Sequence, residues 1–485
     1  MIKYLKQLAS ESVIYGLSGM LSRFLSILLI PIYTRVLTIE DYGVISLIIA
    51  LLGVTNALVS LALESAVHRW YWDTENLTDR KSTLASWTWC QLTVSTVAGL
   101  IIAVSAPWFS QTVIGRSDAV FALWLVALGL PFSTLGIVAN SWFRLQRRPW
   151  TAMFFSLGSN LLNITVAIVC IVGLRTGIQG IFIGHIASYL ASGVGALWLV
   201  RDWFNPHYFQ GQRLTAMLRY AIPLLPANLS FWMISTSERY FIQFHATTRE
   251  VGLYQIGSAI ASTLGLLTAA FQQAWWPFAI SMYQQADAKQ VYAKVLLAYL
   301  WLTSLFSLTL ALFAPEIIRV FATPAYLDGA PIVGILAFSY VMGGVAAIAG
   351  IGPTILKVSH PTGVAIMISM MLNLGLNLWL VPALGKMGAA IANLLSQAFV
   401  PIYVFVQSQR LYPIPFRFDK AILLLLVASV FVITGNFIHF QRVGLTVLVK
   451  LLLVLLFTIT LLSLDITTGD ELGRFYSQIK RKIGL

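Results

Sequence analysis

Gly177–Ser188 reads GIQGIFIGHIAS, and about 210 residues further on Gly385–Ser396 reads GKMGAAIANLLS. Gly177 and Gly180 align with Gly385 and Gly388, and Gly184 aligns with Ala392. Upstream, Arg148-Pro149 matches His360-Pro361, and Asn160 and Asn163 match Asn373 and Asn377 after a small gap. Glu40-Asp41-Tyr42-Gly43 aligns likewise with Arg249-Glu250-Val251-Gly252. A chain that repeats itself at this distance carries two copies of one large unit.

Composition says what the unit is made of. Of the 485 residues 58% are hydrophobic and only 10% charged, with a mean hydropathy of +0.81. Soluble domains carry about 25% charged residues. The chain is therefore read as a polytopic membrane protein, in which a span needs roughly 20 apolar residues and satisfies its own backbone. Apolar runs predict about 14 spans, near residues 12–34, 43–66, 82–105, 119–143, 151–173, 177–200, 219–244, 252–280, 291–313, 330–352, 361–382, 386–408, 420–440 and 443–465. Six spans per copy is an even number of crossings, so both copies run in the same direction, related by an axis along the membrane normal. The expected fold is all-α, with two parallel six-helix repeats and an appended helix pair. Its parts are an N-terminal lobe (1–200), a C-terminal lobe (201–409), the helix pair (410–465) and a basic tail (466–485).

The net charge of +13 is spread over short loops rather than clustered, so nucleic acid is not expected as a partner. With the N-terminus inside, about 21 Lys and Arg fall on the cytoplasmic side and 7 on the other. That bias orients the chain with both termini cytoplasmic, the ordinary signature of an inner-membrane protein. Trp70, Trp72, Trp150, Trp203 and Trp276 sit near span ends, as interfacial belts require. Cys90 and Cys170 lie in apolar runs and suit neither a disulfide framework nor a metal. Lys3 and Lys6 precede a hydrophobic stretch that holds Arg23 and continues to Tyr33 without a small-x-small cleavage site, which reads as a retained first helix.

Three basic residues fall inside predicted spans: Arg23, Arg239 and Lys450. A charge at depth costs at least about 2.5 kcal/mol and normally faces protein or a wet cavity. On the first helix Ser12, Gly16, Gly19, Arg23 and Ser26 fall within about 80° of one another. Asn228, Trp232, Ser235, Arg239 and Gln243 fall in a similar sector of the seventh. Glu238 lies about 100° from Arg239, because helical neighbours do not face each other, and so points towards an adjacent helix. Arg239 near its helix end can also snorkel, Arg23 can pair with a carboxylate, and Lys450 is expected to snorkel. Glu238 can bind a proton or cation, or hold a neighbouring helix. His185 is read as a core residue, and Glu64 with Arg69 as a structural salt bridge. Pro31, Pro223 and Pro226 mark the first helix of each copy as kinked as well as polar, the combination that lines substrate sites in repeat-built transporters.

The first-loop LTIEDYGVISLI, the second-span exit LESAVHRWYWD, and SERYFIQFHATTREVGLYQIGSAIAS resemble the polysaccharide flippases. These are the O-antigen and exopolysaccharide lipid-oligosaccharide flippases of the multidrug/oligosaccharidyl-lipid/polysaccharide superfamily. The likeness covers nearly the whole chain. Its most specific piece is an acid followed by Arg in the seventh helix and a Gly-x-Tyr opening the eighth, here Glu238-Arg239 and Gly252-Leu253-Tyr254; the family more often has Asp before the Arg. The resemblance implies an oligosaccharide on undecaprenyl pyrophosphate as substrate, moved between leaflets by alternating access of two lobes. It implies Arg23 and Arg239 as pyrophosphate ligands, and Ser26, Asn228, Trp232, Ser235 and Gln243 as polar lining of the cavity. Guanidinium groups pair with phosphate in bidentate fashion, which suits that substrate. It implies no cofactor, coupling to a proton or sodium gradient with Glu238 a candidate, and as partners a polymerase and chain-length regulator of the same pathway.

Rival readings are separable. A multidrug extruder shares the twelve-helix core but would favour acidic cavities for its cations. A polyprenol-dependent membrane enzyme could use Glu40 or Asp41 as an acid, yet the loops are short and no nucleotide-binding loop is present. A scaffold for a glycan assembly complex is compatible with transport.

Overall fold

The computed structural model describes residues 14–463 apart from 15, 17, 23, 26, 359 and 437–442. Arg23, Ser26, the start of the first helix and the basic tail 466–485 lie outside the described residues. All regular structure among the described residues is helical, and the chain divides at Gly252/Leu253 into two compact units. Among the described residues, twelve helical stretches are long and apolar enough to cross a membrane. They coincide with twelve of the predicted spans; the first is only partly described, and the seventh is broken into pieces.

The first unit contains α1 (Ile30–Val36), α2 (Ile39–Ser60), α3 (Leu63–Trp72), α4 (Leu77–Phe109), α5 (Ala119–Leu145), α6 (Pro149–Ile168), α7 (Ile178–Phe204), α8 (Gly211–Ala221), α9 (Leu225–Thr236) and α10 (Glu238–His245). Helix α5 packs on α4 and α7, α7 on α6, and α9 on α2. At one end of this unit Trp87, Phe143, Val138 and Leu63 form a buried core. Two of its helices end in π-turns, Ser110–Ile114 and Val169–Gly173. Helix α2 starts on a capping box, in which Asp41 N–H donates to Thr38 Oγ1 and Thr38 N–H to an Asp41 carboxylate oxygen, both at 3.1 Å. Asp41 also pairs with Arg116 at 2.6 Å, and Arg116 with Asp118. The acid that could have imitated a catalytic group is thus occupied in holding a helix start.

The seventh span breaks for two distinct reasons. Pro223 and Pro226 lack the N–H and crowd the preceding turn, and the chain passes through a short 3-10 turn, 222–224, between α8 and α9. The second break, at Ser237, has no proline. There Ser235 Oγ, Thr236 Oγ1 and Ser237 Oγ each donate to the carbonyl four residues back, at 2.8, 2.6 and 2.6 Å. Such hydroxyls compete for backbone acceptors and bend helices. Three in succession separate α9 from α10 immediately before Arg239.

The second unit opens within α11 (Thr248–Met282) and continues with α12 (Ala288–Phe321), α13 (Ala330–Ala349), α14 (Ile351–Ile355), α15 (His360–Leu384), α16 (Lys386–Leu411), α17 (Phe418–Asn436) and α18 (Val443–Ser463). Helix α16 packs on α13 and α15, and α12 on α13 and α17. The internal repeat has a backbone counterpart. Gly177 precedes α7 at φ 61°, ψ −141°, and Gly385 precedes α16 at φ 54°, ψ −133°. That region is open in practice only to glycine, so the aligned glycines make the same turn.

A second pair of aligned glycines meets face to face. A side chain on Gly43 would run into the Thr248 carbonyl, and one on Gly252 into that of Ile39. Each glycine therefore contacts the residue four positions before its own repeat equivalent. Glu40 and Arg249, also aligned, stand 3.7 Å apart beside this crossing.

Candidate functional site

Arg239 is the second residue of α10, half-buried, and its Nε donates to Ser46 Oγ of α2 at 2.8 Å. Ser46 itself is buried. The break at Ser237 leaves carbonyls above α10 without the regular helical donors, and Arg239 Nη1 leans towards those of Ser235 and Thr236 at 3.4 and 3.5 Å. The guanidinium is thus held at the broken joint of the seventh span, between its own backbone and the α2 hydroxyl. A free snorkelling arginine would have no such fixed Nε contact.

The residues around it repeat the pattern of one side chain clasping another element's backbone. Tyr240 O–H donates to Leu47 C=O at 3.0 Å, and its ring meets Phe109 edge-on at 6.5 Å. Gln243 Nε2 donates to Ile114 C=O at 2.9 Å, taking up a carbonyl at the end of the π-turn. Trp232 lays its indole nitrogen against Gly53, where a Cβ would collide with it. Asn228 and Ser235 are exposed, with Ser235 Oγ turned back on its own helix. Glu238 is fully buried. Of the predicted site residues, Arg239, Trp232 and Gln243 therefore meet α2 or the π-turn, whereas Asn228 and Ser235 are exposed. On the first helix, Ser22 accepts from Asn160 Nδ2 at 2.9 Å.

Two other expectations are corrected. Lys450 does not snorkel: its side chain is 3% exposed and its Nζ bonds both Glu316 oxygens, at 2.7 and 2.8 Å. A carboxylate within reach inside the protein satisfies the ammonium where it stands. Glu64 does not pair with Arg69, since residues five apart on a helix point in different directions. Glu64 instead accepts from Ser141 Oγ at 2.5 Å and faces His68, while Arg69 lies over the Tyr220 ring at 5.7 Å. His185 sits between the rings of Phe182 and Tyr189 on its own helix, as a packing residue does.

Sequence reasoning missed Ser46, the Leu47 and Ile114 carbonyls, and Glu316. The first two stand 193 residues from their partners, and a serine or a main-chain carbonyl carries no local mark.

Residues 32–331 match the model of the polysaccharide biosynthesis protein family. The chain belongs to that family. Within the polysaccharide biosynthesis proteins it is similar to a protein of the Lsg locus of Haemophilus influenzae, 24% identical over 284 residues, which covers 55% of this chain. The match spans 65% of the length of that curated relative. Among solved structures, this family member shares the fold of the lipid II flippase MurJ in an inward closed conformation, with a TM-score of 0.72 at 15% identity over 94% of this chain and all of that one. It also shares the fold of an inward-facing multidrug resistance MATE transporter of the MOP superfamily, with a TM-score of 0.60 at 16% identity over 80% and 94% of the two chains.

Proposed function

We propose that this polysaccharide biosynthesis protein is a flippase that carries undecaprenyl-pyrophosphate-linked oligosaccharide units across the bacterial inner membrane. The observation that carries this reading is Arg239, a half-buried guanidinium held by Ser46 and set at a break in the predicted seventh span. A pyrophosphate crossing hydrocarbon needs a paired, desolvated cation, and arginine is the side chain that offers phosphate a planar fork of donors. Family membership supplies the polysaccharide pathway, and the fold shared with a lipid flippase supplies a scaffold for moving a headgroup past the bilayer centre.

In this reading the two repeat-built lobes rock about the substrate, both termini face the cytoplasm, and Arg23 supplies a second guanidinium. Gln243, Trp232, Asn228, Ser235 and Ser26 contact the glycan. Glu238, buried beside Arg239 in sequence, is the candidate for coupling to a proton or sodium gradient. No bond is made or broken, so transport and not catalysis is the activity assigned. A polymerase and a chain-length regulator of the same pathway would receive the product.

The test is flipping of a fluorescent undecaprenyl-pyrophosphate oligosaccharide in proteoliposomes, with and without proton and sodium gradients. Wild type is expected to flip it; Arg239→Ala and Arg239→Lys, with unchanged melting curves, are expected to lose about 10- to 100-fold. Wild-type rates in Arg239→Ala would remove Arg239 from the site. Absence of flipping under every gradient would return the multidrug extruder and scaffold readings.

A further inference from the structure

The stretch Ile39–Trp72 crosses the first unit, with Ser46 and Arg239 near its start and Trp72 at its other end. Trp72 is 51% exposed, and two arginines address its ring: Arg80 of α4 at 5.3 Å, and Arg147 of the turn after α5 at 5.6 Å. Both are held in place. Arg80 Nε donates to the Tyr71 and Thr74 carbonyls at 3.1 and 2.8 Å, and its guanidinium also lies 4.9 Å from the Tyr71 ring. Arg147 has a left-handed backbone, φ 52°, and its neighbour Gln146 donates from Nε2 to the Tyr71 hydroxyl oxygen at 2.6 Å. A residue with a side chain seldom adopts that φ unless its surroundings impose it.

A guanidinium stacked on a ring keeps in-plane N–H donors for a further acceptor. Among the described residues neither Arg80 nor Arg147 makes an ion pair, although the α3–α4 turn carries Asp73 and Glu75. Asp79, in the first turn of α4, is taken by Arg213 at 2.6 Å. Arg148 follows Arg147, is exposed, and lies over another ring, that of Trp142, at 5.7 Å. Ring faces rather than carboxylates hold these cations, so their charge is left for an anion from outside the chain. Two guanidinium groups at one indole suit an anion with several acceptor oxygens, which is a phosphate.

The neighbouring helix says what carries the phosphate. Pro149 opens α6 directly after Arg148, and Trp150 and Phe154 stack on its surface at 6.0 Å, 55% and 64% exposed. Helix α6 lies in a stretch apolar enough to cross a membrane, yet only Ala152, Met153 and Ala167 of its residues are buried. Exposed aromatic rings at the end of such a helix sit at the level of the lipid headgroups. The arginines therefore stand where membrane phosphates lie, and basic sites at helix ends of this kind take anionic lipids.

We propose that Arg80, Arg147 and Trp72 form a headgroup site for an anionic phospholipid, whose acyl chains run along α6 past Trp150 and Phe154. The site lies at the opposite end of the Ile39–Trp72 stretch from Ser46, and it does not depend on the flippase reading.

The experiment uses the full chain in phosphatidylcholine nanodiscs that contain a phosphatidylglycerol with a diazirine beside its headgroup. Photolabelling is expected on peptides of the α3–α4 and α5–α6 turns. Excess unlabelled phosphatidylglycerol should lower it about tenfold, and inorganic phosphate should leave it unchanged. The Arg147 side chain makes no hydrogen bond among the described residues, so Arg147→Gln should keep the wild-type melting curve. That variant should lower labelling about tenfold, and Arg147→Lys, which keeps the charge but not the fork, should recover part of it. Arg80→Gln should also lower labelling but melt earlier, because Arg80 holds the turn. Labelling elsewhere, or a folded Arg147→Gln labelled like wild type, overturns the site. Displacement by inorganic phosphate would assign it to a soluble anion instead. Displacement by polyprenyl pyrophosphate at a small fraction of the phosphatidylglycerol needed would assign it to transported lipid, and either result overturns the phospholipid assignment.

Discussion

Lys450 of α18 and Glu316 of α12 form a two-pronged ion pair, 134 residues apart in the chain, within the apolar body of the second unit. The Phe313 ring stands 5.9 Å from the ammonium. Neither group could be left alone there. Removing one partner of a buried pair strands the other charge, at about 3–5 kcal/mol, whereas replacing both with apolar or neutral groups is often nearly neutral. Lys450→Met and Glu316→Gln are each expected to destabilise by about that much, and the double variant by far less. Thermal melting in detergent, run as a double-mutant cycle, reads this directly. Additive losses would mean the pair has no mutual energy.

Ser46 is expected to act through Arg239 rather than on its own. Ser46→Ala removes one charge-assisted hydrogen bond, with an effect of about 1.5–3 kcal/mol on whatever Arg239 does. In the flipping assay Ser46→Ala should therefore lower activity, while adding it to Arg239→Ala should change nothing more. A further loss in the double variant would show that Ser46 contacts substrate independently.

The crossing of Gly43 and Gly252 should tolerate no side chain. Gly43→Leu and Gly252→Leu each force a backbone carbonyl away, from Thr248 and Ile39 respectively. Overpacking of this kind costs about 1–3 kcal/mol. Both variants are expected to melt early, and cysteines introduced at positions 40 and 249 should be joined by a short bifunctional thiol reagent when both glycines are kept but poorly when either is leucine.

Arg116, in the short turn before α5, sits between Asp118 and Asp41, and these carboxylates push its already high pKa further up. A raised pKa adds stability that is complete below the unfolded value and is lost only as pH rises through the folded one. Because the unfolded guanidinium already titrates far above neutral pH, no loss is expected anywhere up to about pH 11. Asp41→Asn should then lower the melting temperature by the same amount at neutral and at alkaline pH. A deficit that vanished towards pH 10 would assign the effect to another group.

Much of the architecture was legible because a membrane span leaves a long, one-dimensional mark: twenty apolar residues in succession. The glycine-led repeat was legible too, since Gly177 and Gly385 occupy backbone space closed to other residues. The break at Ser237 was not read, although the signal, three consecutive hydroxyl residues, stood in plain view. Prolines advertise a break; hydroxyls do so only when nothing else accepts their protons. The sequence marks Arg239 as a charge within an apolar run, but not its partner, a serine across the fold. Lys450 was misjudged for the same reason, its distance from Glu316 in sequence being far larger than any helical spacing.

The meeting of repeat-equivalent positions has a consequence for how such a chain came about. Had the two copies stayed identical, positions 40 and 249 would carry the same residue, and two glutamates or two arginines would confront each other at the crossing. The present Glu40 and Arg249 attract. The repeat brings equivalent positions together, and the difference between residues 40 and 249 lets opposite charges meet there. The difference between the copies thus spares this crossing a clash, since a variant with the same charged residue at both positions would set like charges against each other.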